Sequence, residues 1–279
     1  MTEPLVHADT TIGALLARPP IDARETRILL AHALQLSRVQ LITQSERRLS
    51  AAEAEQLSLL LARRQRGDPI AYLVGEREFY GLMLEVSPAV LIPRPETELL
   101  VELALQRLPE RGCVLDMGTG SGAIAIALAH QRPDVMVTAL DASIDALAVA
   151  ARNAGRHRTA ITFVHSDWYR GLEKSRFDLI VANPPYIEAG DTHLSQGDLR
   201  FEPTSALTDY ADGLSALRTI IAGAAQRLQP GGWLLLEHGY DQASAVRTLL
   251  TTADFRTVQS WRDLAGIERV SGGHVDALP

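Results

Sequence analysis

Apolar residues in the first part of the chain recur every three or four positions, the spacing of one buried helix face. Two such runs are Leu29, Leu30, Ala33 and Leu36, and then Leu57, Leu60 and Leu61 before the glycine and proline of "RRQRGDP". "DARE" (Asp22 to Glu25) and "SAAE" (Ser50 to Glu53) precede these runs, and each has a side-chain acceptor three residues ahead of a glutamate. This arrangement can cap a helix reciprocally. We therefore predict a helical N-terminal domain over residues 1–75.

The pattern changes over residues 76–95, where short runs typical of extended structure surround Gly81 and prolines follow at 88, 93 and 95. These features predict a β-hairpin linker between two domains. A helix should then begin near Glu96 and bury a leucine-rich face.

From Gly112 onward, short β-rich runs alternate with helical segments. The runs are "CVLDMG", "VMVTALD", "ITFVHSD", "FDLIVANPP" and "WLLLEHG", separated by "AIAIALAHQ", "DALAVAARNA" and "LSALRTIIAGAAQRL". Alternation of this kind predicts an α/β fold, with a mostly parallel, Rossmann-like sheet covered by helices on both faces, over residues 96–279. Ligands of such sheets bind at the carboxyl ends of the strands.

Composition narrows the class of protein. Of 279 residues, 46% are hydrophobic and 22% charged, which is typical of a globular chain. No stretch approaches the roughly 18 apolar residues of a membrane span, and no secretion signal is evident, so we expect a cytoplasmic protein without membrane contact. The lone Cys113 predicts neither a disulfide nor a metal site. A net charge of −7 argues against extensive contact with nucleic acid.

"LDMGTGSGAIAIALA" places Gly118, Gly120 and Gly122 between a predicted strand and helix. Such glycines allow a sharp turn and close approach of a ligand to the backbone, although a tight corner alone would also explain them. The G-x-G-x-G spacing lacks one residue of the dinucleotide fingerprint, which favours a cofactor without a pyrophosphate. Thr119 and Ser121 add hydroxyl groups to the loop.

Two further strand ends carry candidate binding groups. Asp141 ends the second strand about 20 residues after the glycine loop, which is the separation expected for a carboxylate that accepts from ribose hydroxyls. Trp168 follows the third strand next to Asp167, and an aromatic plane beside a carboxylate suits a purine ring. Together with the glycine loop, these residues resemble the cofactor site of class I S-adenosylmethionine-dependent methyltransferases.

The fourth strand ends in "NPPY", Asn183 to Tyr186. Pro184 and Pro185 have no backbone N–H and stiffen the turn, so this corner offers carbonyl oxygens without amide donors. Asn183 adds a side-chain oxygen, and Tyr186 can form an aromatic wall. Such a corner suits a substrate NH₂ group, both of whose hydrogens need acceptors, and predicts methyl transfer to a planar nitrogen. An ordinary turn after a buried strand is the alternative.

With "LIPRPETE" (Leu91 to Glu98), "FEP" (Phe201 to Pro203) and "DLAGIERV" (Asp263 to Val270), the whole chain resembles the release-factor glutamine methyltransferases. The resemblance implies methylation of the glutamine of the Gly-Gly-Gln loop in class 1 peptide chain release factors. It implies that Asn183, Pro184 and Tyr186 bind the target carboxamide. The glycine loop, Asp141 and Trp168 would hold S-adenosyl-L-methionine, with Asn183 close to both ligands. We assign recognition of the protein substrate to residues 1–75.

Three alternatives remain open at this point. The sister family that methylates glutamine in a ribosomal protein would use the same corner. A nucleic-acid amino-methyltransferase would also use it, but would need to flip a base and grip phosphates. A noncatalytic adenosine-binding protein is the third. Arg94 and Glu96 could close over the site, although a proline-rich linker and a helix start explain them equally well.

Overall fold

The computed structural model describes residues 5–172 and 175–276. The chain forms two compact units, Met1–Gly75 and Glu76–Pro279. The described residues include no helix with the length and apolar character needed to cross a membrane.

The first unit is helical, as the periodicity predicts. Its helices are α1 (Ile12–Ala17), α2 (Ala23–Leu34), α3 (Arg38–Thr43), α4 (Ala51–Gln65) and α5 (Ile70–Val74). Leu29 and Leu30 of α2 and Leu57 and Leu61 of α4 are fully buried in a shared core. This unit therefore has a hydrophobic core of its own.

The caps of these helices match the sequence in part. At Ser50 both halves of the reciprocal arrangement with Glu53 are present. The same expectation at Asp22 is wrong in its second half: Asp22 accepts from two backbone amides, but the Glu25 carboxylate pairs with Arg64 at 2.6 Å. An arginine from another helix therefore competes successfully for Glu25. A reciprocal cap at Ser37 begins α3 and was not among the predicted ones.

The second unit begins with the expected hairpin, formed by β1 (Glu76–Phe79) and β2 (Leu82–Glu85). Its two turn residues, Tyr80 and Gly81, have φ values of 52° and 76°. Two consecutive positive φ values match the strand twist and are typical of tight hairpins. Gly81 therefore supplies the conformation that the sequence suggested.

A seven-stranded sheet dominates the second unit. Its strands are β3 (Cys113–Met117), β4 (Met136–Asp141), β5 (Ile161–His165), β6 (Phe177–Ala182), β7 (Leu228–Glu237), β8 (Arg256–Arg262) and β9 (Glu268–His274). They lie in the order β5, β4, β3, β6, β7, β9, β8, and β3 to β7 are parallel. The helices are α6 (Glu98–Leu105), α7 (Ala123–Gln131), α8 (Ile144–His157), α9 (Thr204–Leu207), α10 (Ser215–Ala224) and α11 (Ala243–Thr252).

Hydrophobic cores cover both faces of this sheet. Leu179 and Val181 of β6 belong to the core that includes α6 and α7, whereas Ile180 and Ala182 belong to the core that includes α10 and α11. Successive side chains of a strand point to opposite faces, so a strand buried on both sides is a nearly continuous apolar run. The predicted fold class is confirmed.

The antiparallel pair β8 and β9 closes one edge of the sheet and does not follow from the alternating pattern. "SGGH" at the end of β9 has the composition of a turn. In the structure Gly272 is packed against β7, where an added Cβ would lie 2.3 Å from the Leu234 carbonyl oxygen. Close approach of two backbones, rather than a turn, therefore explains this glycine.

Candidate cofactor and substrate site

A cavity of about 540 Å³ lies at the carboxyl ends of the central strands. Nine of the residues predicted from the sequence to bind a cofactor or substrate line it: Gly118, Thr119, Gly120, Ser121, Asp141, Asp167, Trp168, Asn183 and Pro185. Gly122, Pro184 and Tyr186 are not among its lining residues. The structure thus brings the ends of four strands to one cavity, within the volume range of small-molecule sites.

The glycine loop between β3 and α7 is held by backbone bonds and by one buried carboxylate. Gly118 N–H and Thr119 N–H both donate to the Leu140 carbonyl at 2.9 Å. The Asp116 carboxylate accepts from the Thr119 hydroxyl at 2.7 Å and from the Ala125 amide at 3.2 Å. Asp116 is fully buried and does not line the cavity, so its contacts maintain the shape of the loop.

Gly120 and Gly122 of the loop are needed for different structural reasons. All three have positive φ, but an added Cβ at Gly120 would meet nothing within 4 Å. At Gly122 it would lie 2.9 Å from Ile126 Cδ1 and 3.1 Å from Ala150 Cβ. Gly120 therefore keeps the backbone open toward a ligand, while Gly122 allows α7 to pack against α8.

Alanine at these two positions should separate backbone strain from steric overlap. Gly120→Ala should destabilise the fold by about 1–2 kcal/mol, the cost of a left-handed conformation for an L-residue. Gly122→Ala should cost about 1–3 kcal/mol more, because its methyl group overpacks the helix contact. Urea unfolding of both variants measures the difference. Equal losses of stability would contradict the distinct packing role of Gly122.

Burial raises the pKa of Asp116 to about 7, with hydrogen bonds from Thr119 and Ala125 opposing the shift. The folded state therefore holds a proton that the unfolded state releases near the ordinary value of 3.8. Between these values the folded protein binds more protons than the unfolded one, so this group lowers stability as the pH rises toward 7. Above that pH its contribution is constant.

Asp116→Asn should remove this dependence. An amide cannot ionise, and its oxygen can still accept from Thr119 and Ala125. Relative to the wild type, the stability of the variant should increase from about pH 5 to 7 by up to about 1.4 kcal/mol per pH unit. Denaturant unfolding of both proteins across this range tests it. A stability difference that does not change with pH would show that Asp116 is ionised throughout.

Asn153 of α8 connects the hairpin with the glycine loop. Its fully buried amide accepts from Glu85 N–H at 2.7 Å and donates to the carbonyl oxygens of Glu85 at 3.0 Å and Ser121 at 2.9 Å. These bonds satisfy the donors and one acceptor of the buried carboxamide. The position of the loop therefore depends on β2 as well as on its own strand and helix.

Asp141 at the end of β4 has one backbone partner on each oxygen. Oδ2 accepts from Gly120 N–H and Oδ1 from Ser143 N–H, both at 2.9 Å. Burial raises the pKa of this carboxyl group, and these hydrogen bonds oppose the shift. Each carboxylate oxygen can accept a second hydrogen bond, which leaves room for two vicinal hydroxyl groups of a ligand.

Trp168 follows β5 in a conformation that is unusual for a large side chain, with φ of 49°. Ser166 fixes this turn, because its hydroxyl donates to the Trp168 carbonyl at 2.7 Å and accepts from Gly171 N–H at 2.6 Å. The indole lies beside the glycine loop, because a Cβ added at Gly118 would lie 4.0 Å from Trp168 Cζ3. The ring is thereby held at the wall of the cavity.

The "NPPY" corner follows β6. Asn183 and Pro185 line the cavity, whereas Pro184 is buried. The Asn183 amide nitrogen donates to Thr97 Oγ1 at 3.1 Å. The Tyr186 carbonyl accepts from Gln242 Nε2 at 3.0 Å, and burial raises the pKa of the Tyr186 phenol. Contact of Pro184 and Tyr186 with a substrate stays a prediction.

Several residues near the corner were not predicted as site residues. Thr97 and Arg94 of the "PRPETE" segment line the cavity, while Glu96 does not. Glu202 of "FEP" binds this segment, accepting from Ile92 N–H at 3.0 Å and from the Arg94 guanidinium. The segment therefore runs along one wall of the cavity and is fixed there by a buried carboxylate.

Glu237 at the end of β7 is also buried beside the corner. It is 2% exposed, and its Oε2 atom has no hydrogen-bond partner among the described residues. Burial raises its pKa to about 7, with Thr97, Arg269 and Asn183 acting in the opposite direction. One signal in the sequence could have identified it: a single carboxylate closes the otherwise apolar run "WLLLE".

These features fit S-adenosyl-L-methionine. The carboxylate of Asp141 can accept from ribose hydroxyls, and Trp168 offers a plane to adenine. The open backbone at Gly118 and Gly120 allows the methionine portion to approach closely. About 540 Å³ is sufficient for a ligand of this size.

Comparisons with known proteins agree with this site. Residues 12–75 match the PrmC N-terminal domain family, and residues 95–200 match the methyltransferase small domain family. The solved structure of a methyltransferase from Pyrococcus furiosus shares the fold, with a TM-score of 0.55 and 20% identity, over 79% of this chain and 100% of that one.

Curated relatives match nearly the whole chain. The release factor glutamine methyltransferase of Burkholderia pseudomallei (strain K96243) is 55% identical, over 95% of this chain and 96% of its own length. The protein of the same name from Neisseria gonorrhoeae (strain ATCC 700825 / FA 1090) is 51% identical, over 89% of this chain and 92% of its own. With this identity over both units, the chain belongs to the family of release factor glutamine methyltransferases.

Proposed function

We propose that the protein methylates the side-chain nitrogen of the glutamine in the Gly-Gly-Gln motif of class 1 peptide chain release factors. Its cofactor is S-adenosyl-L-methionine. The observation that carries the proposal is that Asn183 lines the same cavity as the glycine loop and Asp141. Relatives at 51–55% identity bear the corresponding name. Substrate and cofactor can thus meet at the end of β6.

The chemical problem is the poor nucleophilicity of an amide nitrogen. Its lone pair is delocalised into the carbonyl group, and this resonance sustains a rotation barrier of about 18–20 kcal/mol in a peptide. The bound cofactor supplies an electrophilic methyl group on a sulfonium. The protein must localise the nitrogen lone pair and direct it toward that methyl group, because the corner has no strong base to offer.

Two fixed acceptors can do this. In the proposed complex, the Asn183 side-chain oxygen and the Pro184 carbonyl oxygen accept the two amide hydrogens of glutamine. Acceptors held out of the amide plane favour a more pyramidal nitrogen and stabilise the positive charge that develops on it during transfer. The cofactor would supply the methyl group and leave as S-adenosyl-L-homocysteine, and the methylated nitrogen would release one proton to solvent water.

Recognition of the release factor is proposed to involve residues 1–75, because this unit has its own core outside the methyltransferase sheet. A cytoplasmic location follows from the proposed substrate, since release factors act on ribosomes. A ribosomal protein or an RNA would be a different substrate for the same corner. No feature of the described site favours either one.

The test is a methyl-transfer assay with purified protein, labelled cofactor and a class 1 release factor. A release factor with alanine in place of the Gly-Gly-Gln glutamine is the matched control. Peptide mass spectrometry should locate the methyl group on that glutamine, and the control should remain unlabelled. Labelling of both release factors equally, or transfer only to ribosomal protein or RNA, would overturn the proposal.

A further inference from the structure

Two buried residues, Thr97 and Glu237, lie next to Asn183 of the corner. β6 and β7 are parallel neighbours in which Ala182 pairs with Leu236, so Asn183 and Glu237 come next on adjacent strands. Thr97 ends a 3₁₀ turn (Pro95–Thr97) directly before α6. Thr97 is 4% exposed and Glu237 2% exposed, so water cannot readily replace either partner.

The hydrogen-bonding capacities of these groups restrict their orientation. An ionised carboxylate only accepts, whereas a hydroxyl donates one hydrogen and accepts others. If the Thr97 hydroxyl donates to Glu237, its lone pairs are left for Asn183. The Asn183 NH₂ group, 3.1 Å from Thr97 Oγ1, is then the donor. Burial raises the pKa of Glu237, and hydrogen bonds from Thr97 and Asn183 oppose that rise, as expected if both groups donate to the carboxylate.

We propose that Thr97 and Glu237 are positioning residues that engage the Asn183 NH₂ group, so that Asn183 presents its oxygen to the substrate. This inference rests on the proposed function. It gives roles to two residues that the corner motif does not contain. Neither residue is proposed to touch the reacting atoms.

The orientation of Asn183 matters because the target is itself an NH₂ group. An Asn183 side chain rotated by 180° would place its own N–H donors against those of the glutamine, and no hydrogen bond could form. A free asparagine amide has little preference between these two orientations, so the surrounding acceptors must impose one. An acceptor for the Asn183 NH₂ group is therefore as necessary as the Asn183 oxygen that accepts from the substrate.

The "DLAGIERV" segment opposes the rise in the Glu237 pKa that burial causes. Arg269 acts to lower the Glu237 pKa and Glu96 to raise it. Arg269 forms an ion pair with Asp263 at 3.2 Å, and Asp263 also accepts from the Ala265 and Ile267 amides. The segment thus fixes a cation near the buried carboxylate, which partly offsets the effect of burial on the Glu237 pKa.

Thr97→Val and Thr97→Ser form a matched pair for the test. Valine keeps the shape of threonine without the hydroxyl, and serine keeps the hydroxyl without the methyl group. Thr97→Val should lower kcat for release-factor methylation at least about tenfold. Removal of a whole preorganised group typically lowers kcat by about 10²–10³, and this variant removes only the support of such a group. The KM for S-adenosyl-L-methionine should change less than about twofold. Thr97→Ser should retain most of the wild-type kcat.

Glu237→Gln provides a second test of the positioning role if thermal unfolding shows that Thr97→Val folds poorly. It introduces a donor where the proposal needs an acceptor, and kcat should fall with cofactor binding preserved. Wild-type kcat in Thr97→Val, or equal losses in the valine and serine variants, would overturn the positioning role. Absence of methyl transfer by the wild-type protein in the same assay would instead refute the proposed function.

Discussion

Asn183→Ala should lower kcat/KM for release-factor methylation by at least about 100-fold while S-adenosyl-L-methionine binds with nearly unchanged affinity. The size of the effect is that of removing one preorganised group that stabilises developing charge, about 10²–10³ in rate. Asn183 contributes one of the two acceptors for the substrate amide, and alanine leaves a donor of the substrate without a partner. Steady-state kinetics and calorimetric titration of the cofactor measure the two quantities.

His193→Ala is the control for that experiment. His193 is exposed, and its ring hydrogen-bonds to Asp191 within the loop after the corner. The proposed mechanism uses no general base at this position, so the variant should retain the wild-type rate. Near-normal turnover of Asn183→Ala would contradict the role of the corner. Complete loss of rate in His193→Ala would show that proton removal by a side chain had been overlooked.

Asp141→Asn should weaken S-adenosyl-L-methionine binding by about 10- to 100-fold. Both oxygens of Asp141 accept backbone N–H groups, so an amide at this position must oppose one of these donors with its own NH₂ group. It also loses the charge that strengthens hydrogen bonds to ribose hydroxyls. Bonds to charged groups contribute about 1.5–3 kcal/mol each, and 1.4 kcal/mol corresponds to a tenfold change in affinity.

Asp145→Asn is a matched control, because it removes one negative charge from the same cavity wall at an exposed position. Calorimetric titration with the cofactor should find a large loss for Asp141→Asn and a small one for Asp145→Asn. Thermal unfolding checks that both variants are folded. Equal losses of affinity would indicate that only the net charge of the cavity matters.

The sequence was sufficient for the parts of the fold that depend on local pattern. Strand and helix alternation predicted the parallel strands, and the position of the glycine loop and of Asn183 followed from their places after β3 and β6. Buried strands are mostly apolar and their ligand-binding ends carry polar residues, so both signals are visible in a single sequence.

Residues whose role depends on distant partners could not be predicted in this way. Glu25 has the spacing of a capping residue, yet it pairs with Arg64 of another helix. Thr97 and Glu237 come from segments far from Asn183 in the chain. Glu237 lies beside it because β6 and β7 are neighbours, and Thr97 contacts it from the turn before α6. Gly272 has turn composition but serves close packing against β7.

The most direct test of the corner is a crystal structure of the protein with S-adenosyl-L-homocysteine and a peptide that contains Gly-Gly-Gln. We expect the glutamine side-chain nitrogen to lie about 2.7–3.2 Å from both the Asn183 side-chain oxygen and the Pro184 carbonyl oxygen. The Asn183 nitrogen should face Thr97. A glutamine bound elsewhere in the cavity, or more than about 3.5 Å from both oxygens, would contradict the proposed role of the corner.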